Sequence, residues 1–302
     1  MLKAVERYLA LRRAAGFAMH TAEYLLKSFA NFAAKRGETH VRTQTAIDWA
    51  ALGPSVAQRD ARLKAVCRFA RSSCIEDDRH QAPPAKYFGA RKKRRPPHIY
   101  GAQDIGRLLA AALQLRPKGD LRPQAYATLI ALLASTGLRI SEALRLNMAD
   151  ITPDGLLIRR TKFRKTRLVP LHDTAVAGLA RYLRQRQPRS GDDPVFIGRH
   201  GGRLRYQAVK DTFDRLVSKA DIGPAPGNRR PRLHDLRHTF AVRALQASPP
   251  GRTGIGRHMV ALATYLGHVN IYSTYWYLEA TADLMRDVAT AGEAFMLGGR
   301  PS

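Results

Sequence analysis

Cysteine is nearly absent from this 302-residue chain: Cys67 and Cys74 are the two present. They match no zinc-ligand spacing and cannot staple a chain of this length, so a disulfide scaffold is excluded and a reducing cytoplasm is the default compartment. Long apolar runs are missing as well. The longest, Ala125 to Ala134 (AYATLIALLA), is far short of the ~20 residues that a bilayer span needs, so no transmembrane helix and no membrane partner is expected. The opening MLKAVERYLA lacks the long apolar core of a secretory signal. Acidic residues are scarce and scattered, 24 Asp and Glu against 51 Lys and Arg. A two-metal nuclease centre wants several carboxylates converging, so that class is disfavoured. A Walker-type glycine loop, an HExxH helix and a Cys/His cluster with zinc spacing are all lacking, and neither a metal nor a cofactor is expected.

What the chain has in excess is positive charge, a formal net +27. Hydrophobic residues still make up 45%, enough for packed cores rather than a disordered basic tail. The length suits two domains. Residues 1–97 carry net +12 and residues 98–302 net +15, so the surplus is not confined to one tail or helix. A generally basic composition or charge-driven solubility is the bland explanation. Spread over both halves, the charge favours a polyanion, with binding that weakens steeply as salt displaces it from phosphates. A nucleic acid is the favoured partner.

Hydrophobic spacing divides the chain further. Val5, Tyr8 and Leu9 begin a helical stripe that ends near Gly16; Thr21 is a candidate cap for a second helix, stopped by Gly37. Thr45 is read as capping a short third segment with Ile47 and Trp49, and a fourth helix follows Gly53-Pro54-Ser55. The run Arg91-Lys92-Lys93-Arg94-Arg95-Pro96-Pro97 cannot sit in a packed helix and marks a boundary. Beyond it, helices are expected over 104–115, 122–135, 173–187, 206–220 and 233–246, with short strands at 156–159, 167–171 and 195–197. Pro249, Pro250 and three glycines interrupt 248–256; helices are expected again at 258–266, 273–278 and 282–291. The fold class is therefore mainly α with a small antiparallel β-sheet.

The candidate chemistry lies in Arg, Lys, His and Tyr, the types able to act on a phosphodiester without a metal: fixed guanidinium donors stabilise charge that develops on phosphoryl oxygens. Arg139 stands in Thr136-Gly137-Leu138-Arg139-Ile140-Ser141-Glu142, with Ser141 a plausible cap for the next helix. His234, Arg237 and His238 share one helical face. His268 follows Leu266-Gly267, and Tyr272, Tyr275, Trp276 and Tyr277 form an aromatic cluster. Each piece alone has a dull explanation: a surface arginine, a solvated helix face, a helix-terminal histidine, aromatic core.

Their order and spacing together resemble the catalytic signature of the tyrosine recombinase, or phage integrase, family, whose members include Xer-type and transposon-type enzymes. The resemblance spans roughly residues 100–290. It implies a two-domain DNA clamp, with an N-terminal helical core-binding domain (1–90), a basic Pro-containing linker (91–97) and a catalytic integrase domain (98–302); the N-terminal part matches only in position and helical type. Carried onto this sequence, the resemblance implies Arg139 and Arg237 as clamps on the non-bridging oxygens. Tyr277 is the implied nucleophile, forming a 3′-phosphotyrosine, and His234 the implied acceptor of its proton. His268 would hydrogen-bond the phosphate. Lys162, ahead of Arg167-Leu168-Val169-Pro170-Leu171, would protonate the departing 5′ hydroxyl, with Lys165 its competitor because Thr161 and Phe163 replace the usual glycines. Glu142 and Asp235 read as orienting groups. The insertion at 248–256 departs from the family's usual helix–turn–helix. Strand exchange would need neither metal nor ATP, and would proceed in a homotetramer on paired DNA sites, possibly with a related recombinase. The segment from Ala282, bearing Leu284, Met285, Val288 and Phe295, would pack into a neighbouring protomer or in cis. A type IB topoisomerase-like nicking–closing enzyme, or a catalytically inactive DNA-binding regulator, is the alternative.

Overall fold

The computed structural model describes residues 1–89, 96–117, 120–159, 166–186, 193–198, 201–223, 230–247 and 252–267. The chain separates into two compact units, Met1–Arg95 and Pro96–Ser302. The first holds helices α1 (Leu2–Ala14), α2 (His20–Ala34), α3 (Thr43–Ala51) and α4 (Val56–Ser73). Val5, Leu9, Leu26, Phe29, Trp49, Leu63, Val66 and Phe69 bury one face of each helix in a shared core, with the Phe29 and Trp49 rings edge to face. Ser55 caps α4 by accepting the Gln58 N–H, as its sequence context requires. The caps expected at Thr21 and Thr45 are displaced. Met19, in the left-handed region, precedes α2, and Arg42 precedes α3. Thr45 lies inside α3, where its hydroxyl donates to the Glu38 carboxylate at 2.7 Å instead of closing a helix end.

The second unit is built on α6 (Arg122–Thr136), with α5 (Ala102–Leu113), α8 (Asp173–Gln185) and α10 (Asp235–Gln246) packed against it. α6 presents Leu129, Ile130, Leu132 and Leu133 to the core almost completely buried, each stabilising the fold by about 1.5–3 kcal/mol over an exposed position. α9 (Tyr206–Lys219) covers α5, and α11 (Arg252–Leu266) packs on α10 through Met259, Leu262 and Leu266. A three-stranded antiparallel sheet, β1 (Ile151–Thr152), β2 (Gly155–Ile158) and β3 (Arg167–Val169), pairs Ile158 with Arg167 at its far end. The mainly α class with a small antiparallel sheet is what the chain adopts.

Three local expectations change. The apolar run Val195-Phe196-Ile197 makes isolated bridges, Asn147 with Pro194 and Ile197 with Arg203, rather than a strand. Neighbouring loops satisfy its backbone, Val195 N–H donating to Leu146 and Phe196 C=O accepting from Leu204, so no continuous partner strand is needed. α7 (Ile140–Ala143) is preceded by Arg139, not capped by Ser141: the Glu142 carboxylate turns back to accept the Arg139 N–H at 3.0 Å. The interruption expected through 256 ends earlier, since α11 is already helical from Arg252, with Gly254 and Gly256 inside it. Each interior glycine costs about 1 kcal/mol relative to alanine, which the apolar packing of α11 on α10 offsets. Residues 248–251 lie outside the described residues.

Candidate active site

The site grows from the end of α6. Gly137 terminates that helix with φ +61, a conformation that side chains disfavour, and a Cβ there would fall 2.5 Å from the Phe240 ring. The chain can therefore turn sharply and carry Arg139 to the start of α7. On the other side, α10 carries Arg237 with 2% of its surface exposed. Its guanidinium donates to the Gly137 carbonyl at 2.6 Å and to the Leu266 carbonyl at 2.7 Å. Arg139 reaches the same turn from the opposite direction, donating to Leu266 at 3.4 Å and to Gly267 at 3.3 Å. Two cations far apart in sequence thus meet at the end of α11, immediately before His268. Backbone carbonyls and a carboxylate hold them in place without cancelling their combined charge.

Glu142 supplies that carboxylate. It is 6% exposed and accepts from the Arg139 guanidinium at 2.9 Å, and from Arg167 at 3.1 and 2.8 Å. Burial by itself would raise its pKa. The Arg167 hydrogen bonds, the Arg139 N–H and both positive charges outweigh burial and hold it down at about 2. Arg167 was legible in sequence only as part of an R-x-V-P-L strand; its pairing across the fold with Glu142 was not. Asp235 stands at the head of α10. Fully buried, it accepts the Arg232 N–H at 2.8 Å and the Arg232 guanidinium at 2.9 Å, closing the entry to α10; no described bond joins it to His234.

His234 stands at the head of α10 with its ring 4.8 Å from that of His238, edge to face. One side of His234 is open to solvent. Desolvation of the other, then the Arg237 charge, lowers its pKa below 6.5, which leaves a neutral imidazole able to accept a proton. His238 is depressed further, to about 4, by burial first and by the His234 neighbour second. A histidine held neutral in the native state binds its proton only after unfolding, so acidification favours the unfolded chain. Between pH 6.5 and 4 the unfolded chain takes up protons that His238 refuses, and stability falls as pH falls through that window. The loss is at most about 3 kcal/mol, reduced by solvent screening of the partly exposed ring. Glu142 adds a loss of the same sign from pH 4.5 towards 2. Denaturant midpoints measured from pH 7 to 4 are expected to fall, and His238→Gln is expected to flatten that slope.

Of the sequence-nominated residues, Arg139, His234 and Arg237 come to one region of the second unit; Lys162, Lys165, His268, Tyr272, Tyr275 and Tyr277 lie outside the described residues. A separate trio in the first unit, His40, Asp77 and His80, places ligand-type atoms within 4.8 Å of one another. Its hydrogen bonds favour a clasp. His80 Nδ1 accepts the Val41 N–H at 3.0 Å, which leaves the ring proton on Nε2, and Asp77 is already forked by Arg79. Together with Gln81 N–H on the Val41 carbonyl, these bonds tie the segment after α4 to the entry of α3.

A helical domain that brings the buried Arg237 and the partly exposed Arg139 to one turn, with a histidine held neutral in the same region, offers fixed positive donors suited to a phosphate ester. Residues 102–283 match the phage integrase family, and the chain belongs to that family, the tyrosine recombinases. It is 37% identical to y4rB of Sinorhizobium fredii, which carries an integrase/recombinase name, over 94% of both chains. It is 31% identical to the tyrosine recombinase XerD of Caulobacter vibrioides over 78% of this chain and 75% of XerD. Among solved structures, the fold is similar to XerH site-specific recombinase bound to palindromic difH substrate (TM-score 0.67, 18% identity, 91% of this chain and 80% of that one). It is also similar to the Tn1549 transposon integrase in complex with transposon right end DNA (TM-score 0.65, 19% identity, 98% and 99%).

Proposed function

We propose that this chain is a site-specific recombinase or integrase that cleaves and rejoins duplex DNA through a 3′-phosphotyrosine. The observation that carries the reading is the meeting of Arg139 and Arg237 at the Leu266 carbonyl. Such a pair provides fixed positive donors where the non-bridging oxygens of a pentacoordinate phosphorus gain charge. Tyr277 attacks the phosphorus; a phenol with its usual pKa of ~10 needs its proton removed, and neutral His234 accepts it. Lys162 protonates the leaving 5′ oxygen, which departs as a hydroxyl, and His268 donates to the phosphate. The tyrosyl ester keeps the phosphodiester's free energy, so a 5′ hydroxyl from a second strand reverses the attack without ATP or metal.

The N-terminal helical unit, residues 1–90, serves as the core-binding domain and 91–97 as the linker, both basic, while 98–302 carries the chemistry. Four protomers act on two paired DNA sites in the cytoplasm, in DNA integration, transposition or resolution. No helix among the described residues is long and apolar enough to cross a membrane.

The test is covalent capture. The full chain, incubated with a pool of nicked duplexes of randomised sequence in EDTA and without ATP, is expected to form an adduct that survives denaturant. Peptide mapping after nuclease digestion is expected to place the nucleotide on Tyr277. Adducts that appear only with a divalent metal, or none on any duplex, overturn the reading; a nucleotide on Tyr275 or Tyr272 moves the nucleophile.

A further inference from the structure

We propose that Arg167 is a positioning residue of the phosphate clamp: by sharing the Glu142 carboxylate it fixes Arg139 in place while keeping the cluster cationic. The inference rests on the reading of Arg139 as a phosphate ligand and adds a residue to that site.

Three observations carry it. The first is the division of Glu142 between two arginines. Arg167 takes both carboxylate oxygens in a fork, Nη1 to Oε1 at 3.1 Å and Nη2 to Oε2 at 2.8 Å. Arg139 takes Oε1 with its guanidinium at 2.9 Å and Oε2 with its backbone N–H at 3.0 Å. The side chains are graded in depth, Arg139 29% exposed, Arg167 13% and Glu142 5%, so the outermost cation is the one offered to a ligand. Paired with Glu142 alone, Arg139 would belong to a neutral ion pair, and its attraction for a phosphate would be largely cancelled. With Arg167 as a third member the cluster carries net +1. Glu142 can then orient Arg139 without neutralising it.

The second observation is the turn that both arginines face. A Cβ at Gly267 would lie 2.9 Å from Arg167 Nη1, and Gly267 itself has φ +65. Arg167 thus packs flat against the glycine whose carbonyl accepts from Arg139. The same side chain supports both the cation and the turn that leads to His268. The third is an imperfection. Arg167 Nε is buried and finds no acceptor among the described residues. A side chain kept only for stability would be expected to have its donors satisfied, because a buried unpaired N–H is costly.

The experiment compares single-turnover adduct formation by variants of the full chain, at saturating concentrations of one duplex recovered by covalent capture. Arg167→Met, which makes the cluster neutral, is expected to slow cleavage about 30-fold while changing duplex affinity less than about threefold, because its effect lies on transition-state charge. Adding Glu142→Gln to Arg167→Met restores net +1 and is expected to recover about tenfold of that loss. A merely structural Arg167 predicts the opposite, since the double variant removes still more hydrogen bonds. Arg167→Lys keeps the charge and is expected to stay within about fivefold of wild type. If Arg167→Met does not fold by circular dichroism, Arg167→Lys decides: a loss as deep as that of Arg139→Ala overturns the proposal. Full activity of Arg167→Met, or a double variant no faster than it, overturns the proposal also. Arg139→Ala separates the two layers. Wild-type cleavage by that variant removes the clamp reading itself, whereas a slow Arg139→Ala beside an unaffected Arg167→Met removes only the role of Arg167.

Discussion

Tyr277→Phe is expected to abolish the denaturant-resistant protein–DNA adduct while leaving duplex affinity within about twofold of wild type. On the proposed reading the substitution removes the attacking oxygen and keeps the ring. The expected effect is a loss of the covalent step rather than a slowing, because phenylalanine offers no nucleophile. Band-shift titration and denaturing electrophoresis on the same nicked duplex separate the two quantities. Persistence of the adduct in this variant would shift the nucleophile to another hydroxyl, Tyr275 being the first to examine.

Arg237→Ala is expected to lower the rate of adduct formation by about 100-fold or more, with duplex affinity changed less than about fivefold. Binding draws on many basic residues spread over both units, and one buried guanidinium contributes little to a sum of phosphate contacts. The transition state draws on few groups, and this one is fixed before the substrate arrives. The same substitution strands the Gly137 carbonyl and leaves the Leu266 carbonyl with only the longer bond from Arg139, so a stability loss of about 2–4 kcal/mol should accompany it. Arg237→Lys separates the two effects: it retains one charged donor and is expected to recover part of the stability but little of the rate, because an ammonium cannot span two acceptors as the planar fork does. Equal losses of rate and affinity would make Arg237 an ordinary phosphate anchor.

Sequence reading went furthest where chemistry is tied to local order. Helices α4, α6, α8 and α9 announce themselves by apolar spacing. It failed where a long-range partner satisfied what a local residue was expected to satisfy. Thr45 bonds Glu38 instead of capping a helix; Val195 to Ile197 finds loops instead of a strand. In each case the residue type was read correctly as polar or extended, and the identity of its partner was the missing information.

By itself the sequence determined the helical class, the basic character and the order Arg139, His234, Arg237, His268 and Tyr277, because periodicity, charge and spacing are properties of a line of residues. Only the tertiary structure decided that Arg139 and Arg237 share the Leu266 carbonyl, and that Arg167 divides Glu142 with Arg139. Hydrogen bonds and charge pairs act over a few ångströms in space, and residues distant along the chain acquire that proximity only when α6, α10, α11 and β3 have packed.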